Sequence, residues 1–224
     1  MIPIRDEIKT RHTPVVTYIL IAINVIVFII ELNFGSDMDA MMYKYAMIPS
    51  EVTTGFDVGD VSNIFTSMFM HAGWTHLIGN MLYLWIFGDN VEDRLGHFRY
   101  LAFYLVGGVV AAFAHIAINP SSQIPTVGAS GAIAAVLGAY LVLYPRSRVY
   151  TFIPLGFFFR LTLLPASLVL IIWFIMQLFN GVLSIGSSDV GGTAFWAHIG
   201  GFVFGAFIGL LFRKGSHPAT VTQW

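Results

Sequence analysis

Residues 128–144, GASGAIAAVLGAYLVLY, and residues 194–212, AFWAHIGGFVFGAFIGLLF, carry no Asp, Glu, Lys or Arg. A helix at a water boundary keeps one polar face; these two have none. Their 17 and 19 residues approach the length that crosses a bilayer. Small residues recur in them at helical spacing. Gly201, Gly205 and Gly209 form one stripe; Gly131, Ala135 and Ala139 form another, flanked by Ser130, Ala134 and Gly138. Such stripes let two backbones approach closely in lipid, where packing drives association. Helix packing alone accounts for the stripes. Packing the two segments in parallel would also bring Ser130 and His198 to equal height.

The rest of the chain agrees with a membrane setting. Of 224 residues, 57% are hydrophobic and 10% charged, and the mean hydropathy is +0.77. Soluble domains are about 25% charged, so a water-soluble fold is excluded. The net charge is −1, which leaves no basic face for nucleic acid. The absence of cysteine removes disulfides, thiolate nucleophiles and cysteine metal sites. Four more apolar runs, 15–32, 74–88, 98–118 and 161–182, complete an expected all-α bundle of six transmembrane helices. The run at 15–32 follows Arg5, Lys9 and Arg11 but is too long for a signal peptide and has no small-x-small cleavage site after it.

Lys and Arg orient the bundle. With the N-terminus in the cytoplasm, Arg5, Lys9, Arg11, Arg94, Arg99, Arg146, Arg148, Arg160, Arg213 and Lys214 lie inside and only Lys44 outside. The expected organisation is a cytoplasmic tail 1–14, a membrane domain 15–212 and a second cytoplasmic tail 213–224. The outer loop 33–63 is acidic, and its Met-rich stretch 38–47 is expected along the membrane surface. The apolar run 149–159, flanked by Arg, is expected to dip into the inner leaflet. Pro165 is expected to loosen span five.

Polar side chains inside spans are costly and mark function. Here they are Asn24, His76, Asn80, His115, Ser130, Gln177, Asn180 and His198. Ser130 and His198 each stand 14 residues from the cytoplasmic end of their span, a rise of ~21 Å, and His76 stands 12 residues from residue 88, ~18 Å. One hydroxyl and two imidazoles therefore share a layer. A serine hydroxyl is a weak nucleophile until a base takes its proton, and His198 is the candidate base. No Asp or Glu sits deep in a span to act as an acidic third member, so something else must hold the ring's tautomer. His76 and Asn80, at i and i+4, share a helix face and offer two donors to an oxyanion. Taken singly, each residue is explained by packing or interhelical hydrogen bonding, and Asn24, Gln177 and Asn180 are read that way. His115 has no visible partner. There is no His-Glu-x-x-His, no intramembrane aspartate pair, and Ala132 breaks a Gly-x-Ser-x-Gly elbow. A metal held by His71, His76, His115 and His198 lacks carboxylate partners, so no metal or other cofactor is expected.

The sequence resembles the rhomboid intramembrane serine proteases. The likeness lies in Gly128-Ala129-Ser130-Gly131, Ala197-His198-Ile199-Gly200-Gly201, His71 followed by His76-x-x-x-Asn80, and the run from Gly88 to Gly96, GDNVEDRLG. It covers nearly the whole chain in order. The resemblance implies Ser130 as nucleophile, His198 as base, His76 and Asn80 as oxyanion donors, and His71, Gly128 and Gly131 as structural residues near the site. It implies a six-helix core whose short fourth span opens to outer water. Two features depart from the family: Ala134 stands where many members stack an aromatic on the catalytic ring, and the Trp-Arg pair of the first outer loop is absent.

The expected function is that of a Ser-His endopeptidase cutting another protein's transmembrane segment, in an integral protein of a prokaryotic cell membrane with both termini cytoplasmic. Its partners would be transmembrane substrates and the bilayer, not nucleic acid. The alternative is an inactive relative that binds transmembrane helices. A transporter is disfavoured, since no span carries a buried ion pair or acidic relay.

Overall fold

A computed structural model describes residues 1–55, 57–155, 158–185 and 193–213. In chain order these form β1 (Ile2–Asp6), α1 (Val15–Leu32), α2 (Met38–Tyr45), α3 (Pro49–Gly55), α4 (Val58–Ser67), α5 (Trp74–Leu95), α6 (His97–Ile118), α7 (Ser130–Leu143), β2 (Arg148–Leu155), β3 (Phe158–Pro165), α8 (Ala166–Leu183) and α9 (Phe195–Arg213). The expected tail beyond Arg213 lies outside the described residues. Helices α1, α6, α8 and α9 are long and apolar enough to cross a membrane. Helix α7 is apolar but has only 14 residues, and the 22 residues of α5 end in a charged turn. Large apolar side chains are bare on the outer faces, among them Ile26 and Ile30 of α1, Ile175 and Phe179 of α8, and Phe207 and Leu210 of α9. Lipid is the solvent that suits such a surface, and the chain is an integral membrane protein.

Helix α7 is the core. Every residue from Gly131 to Tyr140 is buried, and small side chains are what allow neighbours on all sides. Its closest neighbour is α9. A Cβ added at Gly201 would overlap the carbonyl oxygen of Gly131, and one at Gly205 would overlap that of Ala135. A Cβ at Gly138 would overlap the carbonyl oxygen of Phe202. The two helices thus touch backbone to backbone and in parallel, with 131 beside 201 and 135 beside 205. Helix α6 seals the pair from the side: a Cβ at Gly107 would stand 2.7 Å from Cβ of Ala135, and one at Gly131 would stand 2.7 Å from Cβ of Ala111.

The chain is mostly helical rather than all-α. Three strands form an antiparallel sheet of order β1-β2-β3. β1 pairs with β2 (Ile2↔Phe152, Asp6↔Val149), with a bulge between Pro3 and Arg5. β2 pairs with β3 (Arg148↔Pro165, Thr151↔Thr162). The run 149–159 is thus not a further span: its described residues belong to β2 and β3. Val149 and Thr151 are fully buried and alternate with more exposed neighbours, the period of a strand covered on one face. Gly156 and Phe157 lie outside the described residues. Residues 161–165 belong to β3, so the fifth span begins at Ala166. Pro165 occupies the position before the helix, where its missing N–H loosens nothing. Between α1 and α5, 38–45 is helix α2 and 58–67 is helix α4. Helix α4 starts on a capping box between Asp57 and Asp60.

Helix α5 continues seven residues past the expected end at 88, stopping at Gly96 with φ +80°. Its charged last turns face inward and hold three other chain ends. Glu92, buried, accepts from the backbone N–H groups of Val16 (2.8 Å) and Thr17 (2.7 Å) and from the Thr17 hydroxyl (2.7 Å). It also meets His97 Nδ1 at 2.6 Å. A carboxylate at the orphan donors and positive dipole end of α1 replaces the side-chain cap that Pro14 cannot provide. Arg94 donates to the carbonyl of Phe212 at the other pole, near the end of α9 (2.6 and 3.2 Å). Asp93 accepts from the N–H groups of Arg11 and His12. Asn90 donates to Asp6 Oδ2 (2.8 Å), which also receives the Tyr140 hydroxyl (2.6 Å). Burial pushes the Asp6 carboxyl up to about 6.

Two expectations follow. Glu92→Ala leaves the Thr17 donors buried and unpaired. It should lower unfolding stability by about 2–3 kcal/mol, measured as a loss of Tm in detergent, with Glu92→Gln less severe. The folded state holds the Asp6 proton to higher pH than the unfolded chain, so stability should fall as pH rises from about 4 to about 6 and level off above. Asp6→Asn should remove that part of the slope in pH-resolved melting curves.

Candidate active site

Ser130 is the first residue of α7, and nothing caps that helix through a side chain. The preceding Gly128 has φ +126°, and its N–H donates to the carbonyl of Ser67 (2.8 Å), tying the loop to the end of α4. Only glycine accepts that conformation readily. A Cβ there would also stand 2.7 Å from Cε1 and Nε2 of His76, so the imidazole lies directly against the loop that delivers Ser130.

His198 sits in the first turn of α9 and is buried. Its Nε2 lies 2.7 Å from Ser130 Oγ, across the α7–α9 seam. Its Nδ1 lies 2.8 Å from Oε1 of Gln177 on α8. The Trp173 ring, one turn before Gln177 on the same face, lies 5.8 Å from the His198 ring at 35°. Helix α8 is fastened to α9 along that face: Phe174 stacks on Phe202 at 4.6 Å, and Trp196 Nε1 donates to the carbonyl of Gly181 (3.1 Å).

A second cluster lies on α5 and the turn before it. The Nδ1 of His71 is 3.2 Å from the carbonyl of Phe69, and its Nε2 is 3.0 Å from Asn80 Nδ2. A carbonyl can only accept, so Nδ1 carries the proton and Nε2 accepts from the Asn80 amide. The backbone N–H of His71 donates to the buried carboxylate of Glu31 at the end of α1. The His71 and His76 rings meet edge to face at 5.1 Å.

The structure brings Ser130 and His198 together and sets His76 beside Gly128. Gly131 lies where α6, α7 and α9 converge. Asn80 shares a helix face with His76, but its amide turns to His71, leaving one N–H uncommitted. Helix α5 runs on past residue 88 to Leu95, and the His76 imidazole lies against Gly128, two residues before Ser130, at the level of the serine. His115, without a visible partner in the sequence, has Asn119 Nδ2 3.5 Å from its Nδ1. Asn24 is buried: its amide donates to the Leu20 carbonyl of its own helix (2.7 Å), and its side chain also meets the Tyr104 hydroxyl of α6, a contact between helices. Asn180 is exposed. Among the described residues no group of three or more His, Asp or Glu is arranged to hold a metal ion.

Trp173 and Glu31 are the contributors the sequence left unassigned; Gln177, read as an interhelical hydrogen-bonding residue, does join α8 to α9, through His198. Depth was a usable signal for Gln177. It stands 11 residues into α8, a rise of ~17 Å, and Ser130 stands 13 residues from the end of α7, ~20 Å. Chemically, the arrangement joins a hydroxyl, an imidazole and a neutral acceptor in one hydrogen-bonded line. Beside it are the free N–H groups at the start of α7 and the His76 imidazole lying against Gly128.

Residues 58–215 match the family model of the Rhomboid domain. The chain is 32% identical over 136 residues to rhomboid protease GluP of Bacillus subtilis (strain 168), covering 60% of this chain and 26% of that protein. It is 30% identical over 162 residues to presenilin-associated rhomboid-like protein A, mitochondrial, of Danio rerio, covering 66% and 38%. It is 27% identical over 225 residues to rhomboid protease AarA of Providencia stuartii, covering 92% and 75%. The matched stretch is thus about a quarter of GluP and under two fifths of the zebrafish protein.

Proposed function

The chain belongs to the rhomboid family, and we propose that it is an active serine endopeptidase that hydrolyses a peptide bond in or near the transmembrane segment of other membrane proteins. The observation that carries the reading is the 2.7 Å contact between Ser130 Oγ and His198 Nε2, made by two different helices. As Oγ attacks a carbonyl carbon, its proton passes to Nε2. The carbonyl electron pair moves to oxygen, where the leading N–H groups of α7, His76 and the remaining N–H of Asn80 are the donors at hand. When the C–N bond breaks, Nε2 returns the proton to the departing amine. Water then hydrolyses the ester on Ser130 by the same route.

The helices α1, α5, α6, α7, α8 and α9 are the six spans of this reading, with both termini on the cytoplasmic side because ten of the eleven Lys and Arg fall there. A substrate helix hides its carbonyls in internal hydrogen bonds, so it must unwind locally, and weak helix formers near the cut favour that. Entry between α5 and α8 suits the exposed outer face of α8, where Ile171, Ile175 and Phe179 are bare. No metal or cofactor takes part in the steps above.

The test is cleavage of a labelled single-span protein by the purified chain in proteoliposomes. Ser130→Ala and His198→Ala should each abolish cleavage without lowering Tm. Asn80→Ala should slow it by up to about 10²-fold, the scale of one oxyanion donor. Cleavage that survives Ser130→Ala overturns the proposal.

A further inference from the structure

We infer that Gln177 is the positioning residue of the base, accepting the Nδ1 proton of His198 so that Nε2 is free to take the Ser130 proton. This rests on the protease reading above and goes beyond it by supplying the third member that a bare Ser-His pair lacks. The chain of contacts is Gln177 Oε1 to His198 Nδ1, 2.8 Å, and His198 Nε2 to Ser130 Oγ, 2.7 Å. An amide oxygen has no proton to give. Facing Nδ1, it forces the neutral ring to carry its hydrogen there and to present a lone pair at Nε2. In the opposite tautomer Nε2 would donate to Oγ, and no base would face the nucleophile.

The proton balance is complete with the groups present. The Ser130 proton goes to Nε2 while the Oγ–C bond forms, giving an imidazolium whose Nδ1–H still points at Gln177 Oε1. On collapse, the Nε2 proton leaves with the amine, and the neutral ring returns with Nδ1–H in place. Gln177 neither gains nor loses a proton. It acts through His198 and touches no reacting atom.

An amide suits the setting. A carboxylate would do the same orienting work but would place a full charge on a lipid-embedded helix, which is expensive. Orientation also needs a second contact, because one hydrogen bond leaves the ring free to tilt about its own axis. Trp173 supplies it, one turn away on the same face of α8. Ala134 of α7, which stands where the aromatic would be, has no ring to stack there.

The experiment compares wild type, Gln177→Leu, Gln177→Glu and Ser130→Ala in proteoliposomes, with kcat and KM measured from pH 5 to 9 and Tm measured in detergent. Gln177→Leu should lower kcat by about 10²-fold, part of the ~10²–10⁴ that a positioned base supplies, with KM and Tm near wild type. Gln177→Glu keeps an oxygen acceptor at Nδ1 and should recover most of that loss. A negative charge beside the ring favours the imidazolium, so the acid limb of its kcat profile should move to higher pH. Wild-type kcat in Gln177→Leu overturns the inference. So does a Gln177→Glu protein as slow as Gln177→Leu with an undisplaced acid limb, which is the signature of a packing role. If Gln177→Leu does not fold, the Gln177→Glu profile decides alone. Cleavage by Ser130→Ala would instead remove the protease reading itself; an inactive Ser130→Ala beside a fully active Gln177→Leu removes only this inference.

Discussion

The direct backbone contact between α7 and α9 is the constraint on which the rest depends. In lipid, apolar side chains gain nothing by leaving solvent for a neighbour, so two helices stay together by close packing. Gly201 and Gly205 let α9 lie on the carbonyl oxygens of Gly131 and Ala135, and that contact fixes both the distance and the register of the pair. Register is the functional quantity. Ser130 precedes Gly131 by one residue and His198 precedes Gly201 by three. Once 131 stands beside 201, hydroxyl and imidazole meet at 2.7 Å. A larger residue at either glycine would push apart the two side chains whose chemistry requires contact, so the stripe and the site are one structural fact.

The glycine and alanine seam joins α7 to α9 but does not hold the ends of the other elements, and the polar turn that closes α5 does that work. Glu92 caps α1, Arg94 caps α9, and Asp93 and Asn90 hold the N-terminal segment and β1. The signs are those that helix ends call for: a carboxylate on an N-terminus and a guanidinium on a C-terminus. Charge is tolerated here because each group is paired, and because bare backbone at a helix end would cost as much to bury. The same nine residues, Gly88 to Gly96, that carry part of the family likeness thus fasten three separate chain ends.

Much of this was legible in the sequence, and what was not has identifiable causes. The bounds of α1 follow from its apolar run, and α6, α7 and α9 begin and end within a residue or two of theirs, because mean hydropathy and length decide a span. Spacing alone predicts the register of the glycine stripes. The sheet was hidden because an apolar run beside Arg, in a chain already so apolar, reads as lipid-facing; the period-2 burial of Val149 and Thr151 appears only when β1 covers one face. Helix α5 outruns its apolar run because charged residues end a span by hydropathy but need not end a helix whose charges find partners, and the partner of Glu92 lies 75 residues away at Thr17. Asn80 was paired with His76 by helical period, whereas the turn before α5 folds back to give it His71.

Gln177 shows the limit most sharply. Its depth was readable, but depth leaves rotation free: a residue ~17 Å along a helix can face lipid, a neighbour or the site. What turns it inward is the fit of α8 on α9, through Phe174 on Phe202 and Trp196 on Gly181. Both groups that orient the imidazole from outside the α7–α9 seam, the Gln177 amide and the Trp173 ring, are carried on α8, which is also among the least buried of the long helices. The α7–α9 pair therefore fixes where Ser130 and His198 stand, and the less buried α8 fixes which way the imidazole points. Any displacement of α8 that parts it from α9 releases the Nδ1 proton from its acceptor and leaves the tautomer unconstrained. The distance between Oγ and Nε2 and the direction of the proton between them are thus governed by two different interfaces.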